Sequence, residues 1–439
     1  MAEKQTTPAL YELTAITPAP SSVAVDVLTY NNLDAAIATQ RPYENARYDE
    51  FYDAEPDSLS EEAKARALAR LYMVMSAQRL VGSLNDTTRQ LWSDRFTNAA
   101  IELYGQPDQE LAKSIGSERA RSLIEKAERA QIDPNLVARY RELVSSVGYD
   151  MAADRQEQKD FSETAAQIGE YLTRHYADVF DALALDGLPE VSSAEFVEAS
   201  QRGVAVLAAN HDQDWSGWSI ELKADADKLT TFAKERRLVV NENRLPMSAQ
   251  TANALFAHEI LVHGLRGVNG RKLSEDQQTG LPGHLEAEEG MGKFVEYAIT
   301  GKLPESADRY TDIALALGMI DGQKRTRQEM IDVVRTRLLL QNELKDDSEK
   351  RSVEAIQKST LAQVNRIYRG TLGNHFVGVF TKDIAYFNGF LTMANYIEGE
   401  MMTGKEVGEI MDDIMQFKFD PTNERHVAEV ERLKHEQDA

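Results

Sequence analysis

The stretch SAQTANALFAHEILVHGLRG, residues 248–267, decides how the chain is read. Ser248 is suited to cap a helix, and Gly267 or Gly270 to stop it. Between them His258, Glu259 and His263 put two imidazoles and a carboxylate within two turns, the donor types of zinc hydrolysis. The spacing is unusual. In H-E-x-x-H the histidines are four apart and lie roughly 40° apart on a helix, whereas five apart they diverge by roughly 140°, too far to chelate one ion. A π-type turn, with its i to i+5 hydrogen bond, absorbs one residue and restores a common face. The spacing therefore predicts a π-bulge or kink between Glu259 and Gly264. Two unrelated histidines on an amphipathic helix fit the spacing alone equally well.

Outward from this helix, the texture upstream changes between Trp215 and Leu245, where WSIEL and RLVVN read as short strands separated by a charged helical segment. A small sheet is expected there, beside the motif helix. Downstream, LPGHLEAEEGMGKFVEYAITGKLP reads as a second helix closed by Gly301 and Pro304. Its start carries Glu286, Glu288 and Glu289, a sensible distance after His263 for a returning helix to bring a carboxylate to a metal. Acids at a helix start are also ordinary partners of the helix dipole.

Composition bounds the alternatives. At 439 residues the chain exceeds the ~250–300 at which one core usually stops growing, so two subdomains around a shared cleft are expected. With no cysteine, any transition metal must be held by imidazole and carboxylate. The formal net charge of -23 argues against general affinity for nucleic acid or an anionic membrane. No apolar run approaches the ~18 residues of a membrane helix, and the first thirty residues lack a signal-peptide pattern, so a cytoplasmic location is expected. One stretch departs from the acidic balance: Lys234 to Lys272 holds seven basic residues against three acidic ones.

The organisation reads as an extended arm over 1–57, a helical subdomain over 58–200 opened by a cap at Ser60, a catalytic domain over 201–400 and a charged helical segment over 401–439. Pro107, Pro134 and Pro189 mark breaks between helices. The expected class is α+β, predominantly α-helical.

Several ordered blocks resemble one family, the microtubule-associated tyrosine carboxypeptidases and their bacterial relatives with a Q-E-G-L-A motif. H-E-I-x-x-H stands at His258 to His263, V-N-G-R at Val268 to Arg271 and G-L-P-G at Gly280 to Gly283. The Q-E-G-L-A segment is represented by Glu288, Glu289, Gly290, Met291 and Gly292. YRGT at Tyr368 to Thr371 and VFTKDIAYFNGF at Val379 to Phe390 resemble two later blocks, and LYGQPD at Leu103 to Asp108 an earlier one. The departures are Met291 and Gly292 in place of leucine and alanine, Glu288 where glutamine is common, and Val262 and Gly264 around His263.

The resemblance implies a zincin-like metallopeptidase that holds one zinc ion through His258, His263 and Glu289, with Glu259 as general base and Glu288 behind the ligands. It implies a carboxypeptidase that removes a residue, tyrosine among the options, from a peptide or protein C-terminus. Tyr386 and His375 are candidates to stabilise the oxyanion, although Tyr386 also fits a core aromatic and His375 an exposed loop residue. A terminal carboxylate asks for a two-pronged donor; Arg369 is favoured, with Lys382, Arg266 and Arg244 beside it, and each also fits an ordinary pair with one of the many acids. His284 reads as structural. A regulatory metal-binding module and a zinc hydrolase of a non-peptide amide are the competing functions. Oligomeric state is not legible.

Overall fold

A computed structural model describes residues 104–150, 161–224, 229–244, 246–273, 278–281, 283–345, 350–368 and 378–437, with Gln90, Ser93, Asp94, Thr97, Asn98, Ala100 and Ile101. The expected arm and the cap at Ser60 lie outside the described residues, as do His375 and Arg369.

In chain order the helices are α1 (Gln109–Arg129), α2 (Pro134–Ser146), α3 (Ser162–His175), α4 (Ala177–Leu183) and α5 (Ser193–Val206). Strands β1 (Ser219–Lys223), β2 (Thr230–Phe232) and β3 (Arg237–Asn241) follow. Then come α6 (Ala249–Phe256), a π-helical segment (Ala257–Gly264), α7 (Leu265–Leu273) and α8 (Leu285–Thr300). The remaining helices are α9 (Ser306–Ala316), α10 (Arg327–Glu343), α11 (Val353–Ile367), α12 (Ile384–Met402), α13 (Val407–Ile414) and α14 (Glu424–Gln437). Among the described residues the class is thus α+β with helices dominant and one small sheet, as the sequence predicts.

Local signals explain many of the helix starts. Asp133 caps α2, with Pro134 filling its first turn, where a missing N–H costs nothing. Ser192 with Glu195, and Thr326 with Glu329, form reciprocal capping boxes on α5 and α10. Ser248 accepts the Thr251 N–H and starts α6, as expected.

The chain divides into two compact units, Met1–Gln156 with Glu305–Ile384, and Glu157–Pro304 with Ala385–Ala439. In the first, α1, α2, α9, α10 and α11 pack around a core that includes Ile124, Tyr140, Ile313 and Val334.

The second unit carries the motif helix. Its sheet has the order β1-β3-β2, with β1 parallel and β2 antiparallel to the central β3. Leu238, Val239 and Val240 bury the middle of β3, and α5 packs on β1 and β3. The segment between β1 and β3 corrects the sequence reading: its described residues form β2 and a turn at 233–236 in place of a charged helix. β2 also packs against the π segment, and α8 packs on α3, α6 and that same segment.

Two glycines let α8 and α12 cross backbone to backbone. A Cβ on Gly290 would lie 2.1 Å from the Gly389 carbonyl carbon, and one on Gly389 would lie 2.0 Å from the Glu286 oxygen. No side chain larger than hydrogen fits either place.

Candidate metal centre

The helix over 249–273 is continuous, but its middle is wound differently. The Leu265 N–H bonds the Ile260 carbonyl, five residues back, and the π winding covers Ala257–Gly264. This is the irregularity that the histidine spacing demands. All eight residues of the segment are buried. At its end Gly264 lies under an indole: a Cβ there would stand 2.8 Å from Trp215 Cη2. The expected stop at Gly267 or Gly270 is not observed, since α7 runs on to Leu273. Gly267 serves close packing instead, because a Cβ on it would lie 2.4 Å from the Ala233 Cβ.

The winding brings the two imidazoles onto one face, with ring centroids 4.8 Å apart and Nε2 to Nε2 3.0 Å. The Glu289 Oε2 lies 3.9 Å from His258 Nε2 and 3.8 Å from His263 Nε2. These three residues form the one group of metal-ligand type found among the described residues, with candidate donor atoms all within 4.8 Å of one another.

Each imidazole is held from behind by a different carboxylate. His263 Nδ1 lies 2.7 Å from Glu288 Oε1, and His258 Nδ1 lies 2.5 Å from Glu296 Oε1. Glu288 fills the supporting place implied for it. Glu296 was not singled out from sequence, although it sits seven residues after Glu289, two turns along the same face of α8.

The carboxylates are themselves anchored. Glu288 receives Arg266 Nη1 at 2.5 Å and Lys418 Nζ at 3.1 Å. Burial works to raise the Glu288 pKa, but Lys418, Arg266 and His263 outweigh it and hold the carboxyl well below the usual range. Glu296 is likewise opposed by burial, yet Lys293 and His258 bring it down to about 2. For His258 burial favours the neutral ring, but the Glu296 charge prevails and the pKa stands above the ordinary histidine value.

These bonds decide the chemistry of the centre. Each Nδ1–H donates to a carboxylate, so the two Nε2 atoms are the ring positions left to face a shared proton or metal ion. At the 3.0 Å that separates them, the two Nε2 atoms are both satisfied by a proton or a metal ion placed between them. Two nitrogens at about 2.0–2.1 Å from a tetrahedral ion stand roughly 3.3 Å apart, within a few tenths of the observed separation. Gly292 makes room for the arrangement: a Cβ there would lie 2.5 Å from His258 Nε2. The donor set fits a metal ion held by His258, His263 and Glu289, with a carboxylate behind each histidine in the manner of metal sites. Glu259 is buried beside them, its Oε2 accepting a hydrogen bond from the Thr231 hydroxyl at 2.7 Å.

The other expected residues fall in several places. Arg266 is fully buried, with Nε on the Phe417 carbonyl at 2.9 Å, Nη2 on the Phe419 carbonyl at 2.5 Å and Nη1 on Glu288. Its guanidinium therefore spends its donors on Glu288 and two main-chain carbonyls. Tyr386 is half-buried in α12, one turn before Gly389 and so on the face that meets α8. Lys382 belongs to the other unit, with Nζ 6.0 Å from the centre of the Tyr104 ring. Arg244 lies in the turn after β3. His284 directs Nδ1 to the Leu281 carbonyl at 2.7 Å, in line with a structural role.

No curated protein and no solved structure gave a match to the chain. A model of one protein family does match, over residues 189–411, a little over half of the 439 residues. The match takes in the motif helix, α8 and the block at Val379 to Phe390, while LYGQPD lies before it. The chain belongs to the microtubule-associated tyrosine carboxypeptidase family.

Proposed function

We propose that the protein is a zinc metallocarboxypeptidase of zincin-like fold, removing a C-terminal residue from a peptide or protein. The observation that carries this reading is the convergence of two carboxylate-backed Nε2 atoms and Glu289 beside the buried Glu259. His258, His263 and Glu289 would hold one ion. Zinc bound there supplies Lewis acidity, which makes water acidic enough to attack near neutral pH and polarises the scissile carbonyl. Glu259 accepts the proton of the attacking water and delivers it to the departing amine. Glu288 and Glu296 keep both imidazoles in the tautomer that offers Nε2, and Arg266 and Lys418 keep Glu288 ionised. Tyr386 is the candidate donor to the developing oxyanion, and Arg369 the candidate clamp for the substrate's terminal carboxylate.

The family's description supports tyrosine as the residue removed. The net charge of -23 sets a repulsive field against strongly acidic tails, so the substrate class is a peptide or protein C-terminus of moderate charge. A cytoplasmic location fits this reading, and among the described residues no helix is long and apolar enough to cross a membrane.

The test is metal content by mass spectrometry, followed by cleavage of a peptide library with free C-termini by wild type and Glu259→Gln. We expect one zinc per chain in both, and a loss of turnover in the variant of about 100- to 10,000-fold, as removal of a general base gives. Equal cleavage by both proteins would refute the role of Glu259. Bound zinc with no cleavage of any peptide would favour a regulatory metal-binding module.

A further inference from the structure

The edge strand β2 contributes one side chain to this centre. Thr231 pairs through its backbone with Leu238 of the antiparallel β3, and its hydroxyl reaches across to the π segment. There Oγ1 lies 2.7 Å from Glu259 Oε2 and 3.1 Å from the main-chain oxygen of the same residue. One hydroxyl thus touches both ends of Glu259. Its single proton goes to the charged carboxylate, which is nearer and the stronger acceptor. Threonine suits this place because its β-branched side chain is restricted about χ1 and fits a strand. The neighbouring Phe232 points to the opposite face of the strand, where Arg237 covers its ring at 4.1 Å, so the register of β2 is fixed from both sides.

We propose that Thr231 is a positioning residue for Glu259, a fixed donor that holds the carboxylate in one rotamer while its other oxygen is left for chemistry. The inference rests on the reading of Glu259 as general base. Thr231 lies 28 positions from Glu259 in sequence, and nothing in the local pattern of TTF announces it. The arrangement also gives the sheet a purpose in the centre: β3 is the fixed beam, β2 hangs on it, and Thr231 carries that rigidity to a side chain that would otherwise rotate about three bonds.

Two variants test it, in the full-length metal-loaded protein. Thr231→Val keeps shape and volume but removes the donor, and Thr231→Ser keeps the donor. Loss of a hydrogen bond to a charged group predicts a fall in kcat of roughly 10- to 100-fold for valine, with KM changed by less than about threefold. Serine is expected to restore kcat to within about threefold, and metal content is expected to be equal in all three proteins. Crystal structures give a readout free of activity: Glu259 keeps one rotamer in wild type and Thr231→Ser, and spreads over more than one in Thr231→Val. A single unchanged rotamer with unchanged kcat in the valine variant would overturn the proposal, as would failure of serine to restore what valine loses. Should Thr231→Val be silent while Glu259→Gln is inactive, only the positioning role falls. If Glu259→Gln is as active as wild type, both readings fall together.

Discussion

Both units bury charge, and they treat it differently. In the first, Arg337 meets Asp312 through two bonds of 2.8 and 2.6 Å, and Arg119 meets Asp308 through two of 2.6 and 2.9 Å. Donors and acceptors match fork to fork, and burial raises the Asp312 carboxyl while Asp308, against burial, is held low by Arg337 and Arg119. In the second, the chain of bonds runs from Phe417 and Lys418 through Arg266 and Glu288 to His263, and from Lys293 through Glu296 to His258. There it ends on two ring nitrogens that face each other across 3.0 Å. Perturbed ionisation is common to both regions, so it does not by itself mark a functional site. The mark is a network whose last atoms satisfy each other only when something is placed between them.

The comparison breaks most sharply at Arg337. Arg337→Met leaves Asp312 buried without its partner, and we expect a loss of about 3–5 kcal/mol in urea unfolding, with metal content of the folded protein unchanged. Metal loss without destabilisation would erase the distinction between the regions. In the second unit the same kind of change should be felt at the metal. Glu296→Gln is expected to weaken zinc binding by about 10- to 100-fold in competition with a chelator. It should also alter acid stability in the metal-free protein. A depressed carboxyl contributes stability that is present above the unfolded value of 4.5 and lost as pH falls toward about 2. Wild type should show that loss, worth at most about 3 kcal/mol, and Glu296→Gln should lack it. An identical acid profile in the two proteins would separate Glu296 from the network.

The smallest change sharpens the picture from the steric side. Gly292→Ala would set a methyl group against the His258 ring. We expect a cost of about 1–3 kcal/mol in stability together with weaker zinc binding, both read from a zinc titration followed by thermal melting. Unchanged affinity would mean that the ring of His258 has room to move.

What the sequence disclosed of all this follows a physical line. The five-residue spacing of His258 and His263 was informative because it conflicts with a regular helix, and the π segment resolves the conflict. The strands around Ile220 and Val239 showed through their apolar and β-branched residues. Thr230–Phe232 did not, because three residues beside a charged run resemble a helix surface more than an edge strand. The carboxylate behind His258 lay within reach of a periodicity argument, Glu296 being two turns beyond Glu289. The support beneath His263 did not: Phe417, Lys418 and Phe419 come from a part of the chain more than 150 positions away, and contacts of that range leave no local trace. Gly267 and Gly270 looked like stops, but Gly267 answers to a neighbour's methyl group and α7 continues through both. Nor does composition show that each unit draws on two separated stretches of chain.

One extra residue in a helical rod is a turn of the wrist. Every side chain after the π segment is swung by roughly 100° from where an uninterrupted helix would carry it. That swing aims Arg266 at Glu288 and lets Gly267 settle against Ala233. The insertion therefore acts at two removes. It gathers the two imidazoles, and it indexes the following helix so that the face beneath them carries a guanidinium. A change that rewound the segment as a regular helix without removing a residue would part the histidines and, by the same rotation, turn away the arginine on which one of them rests.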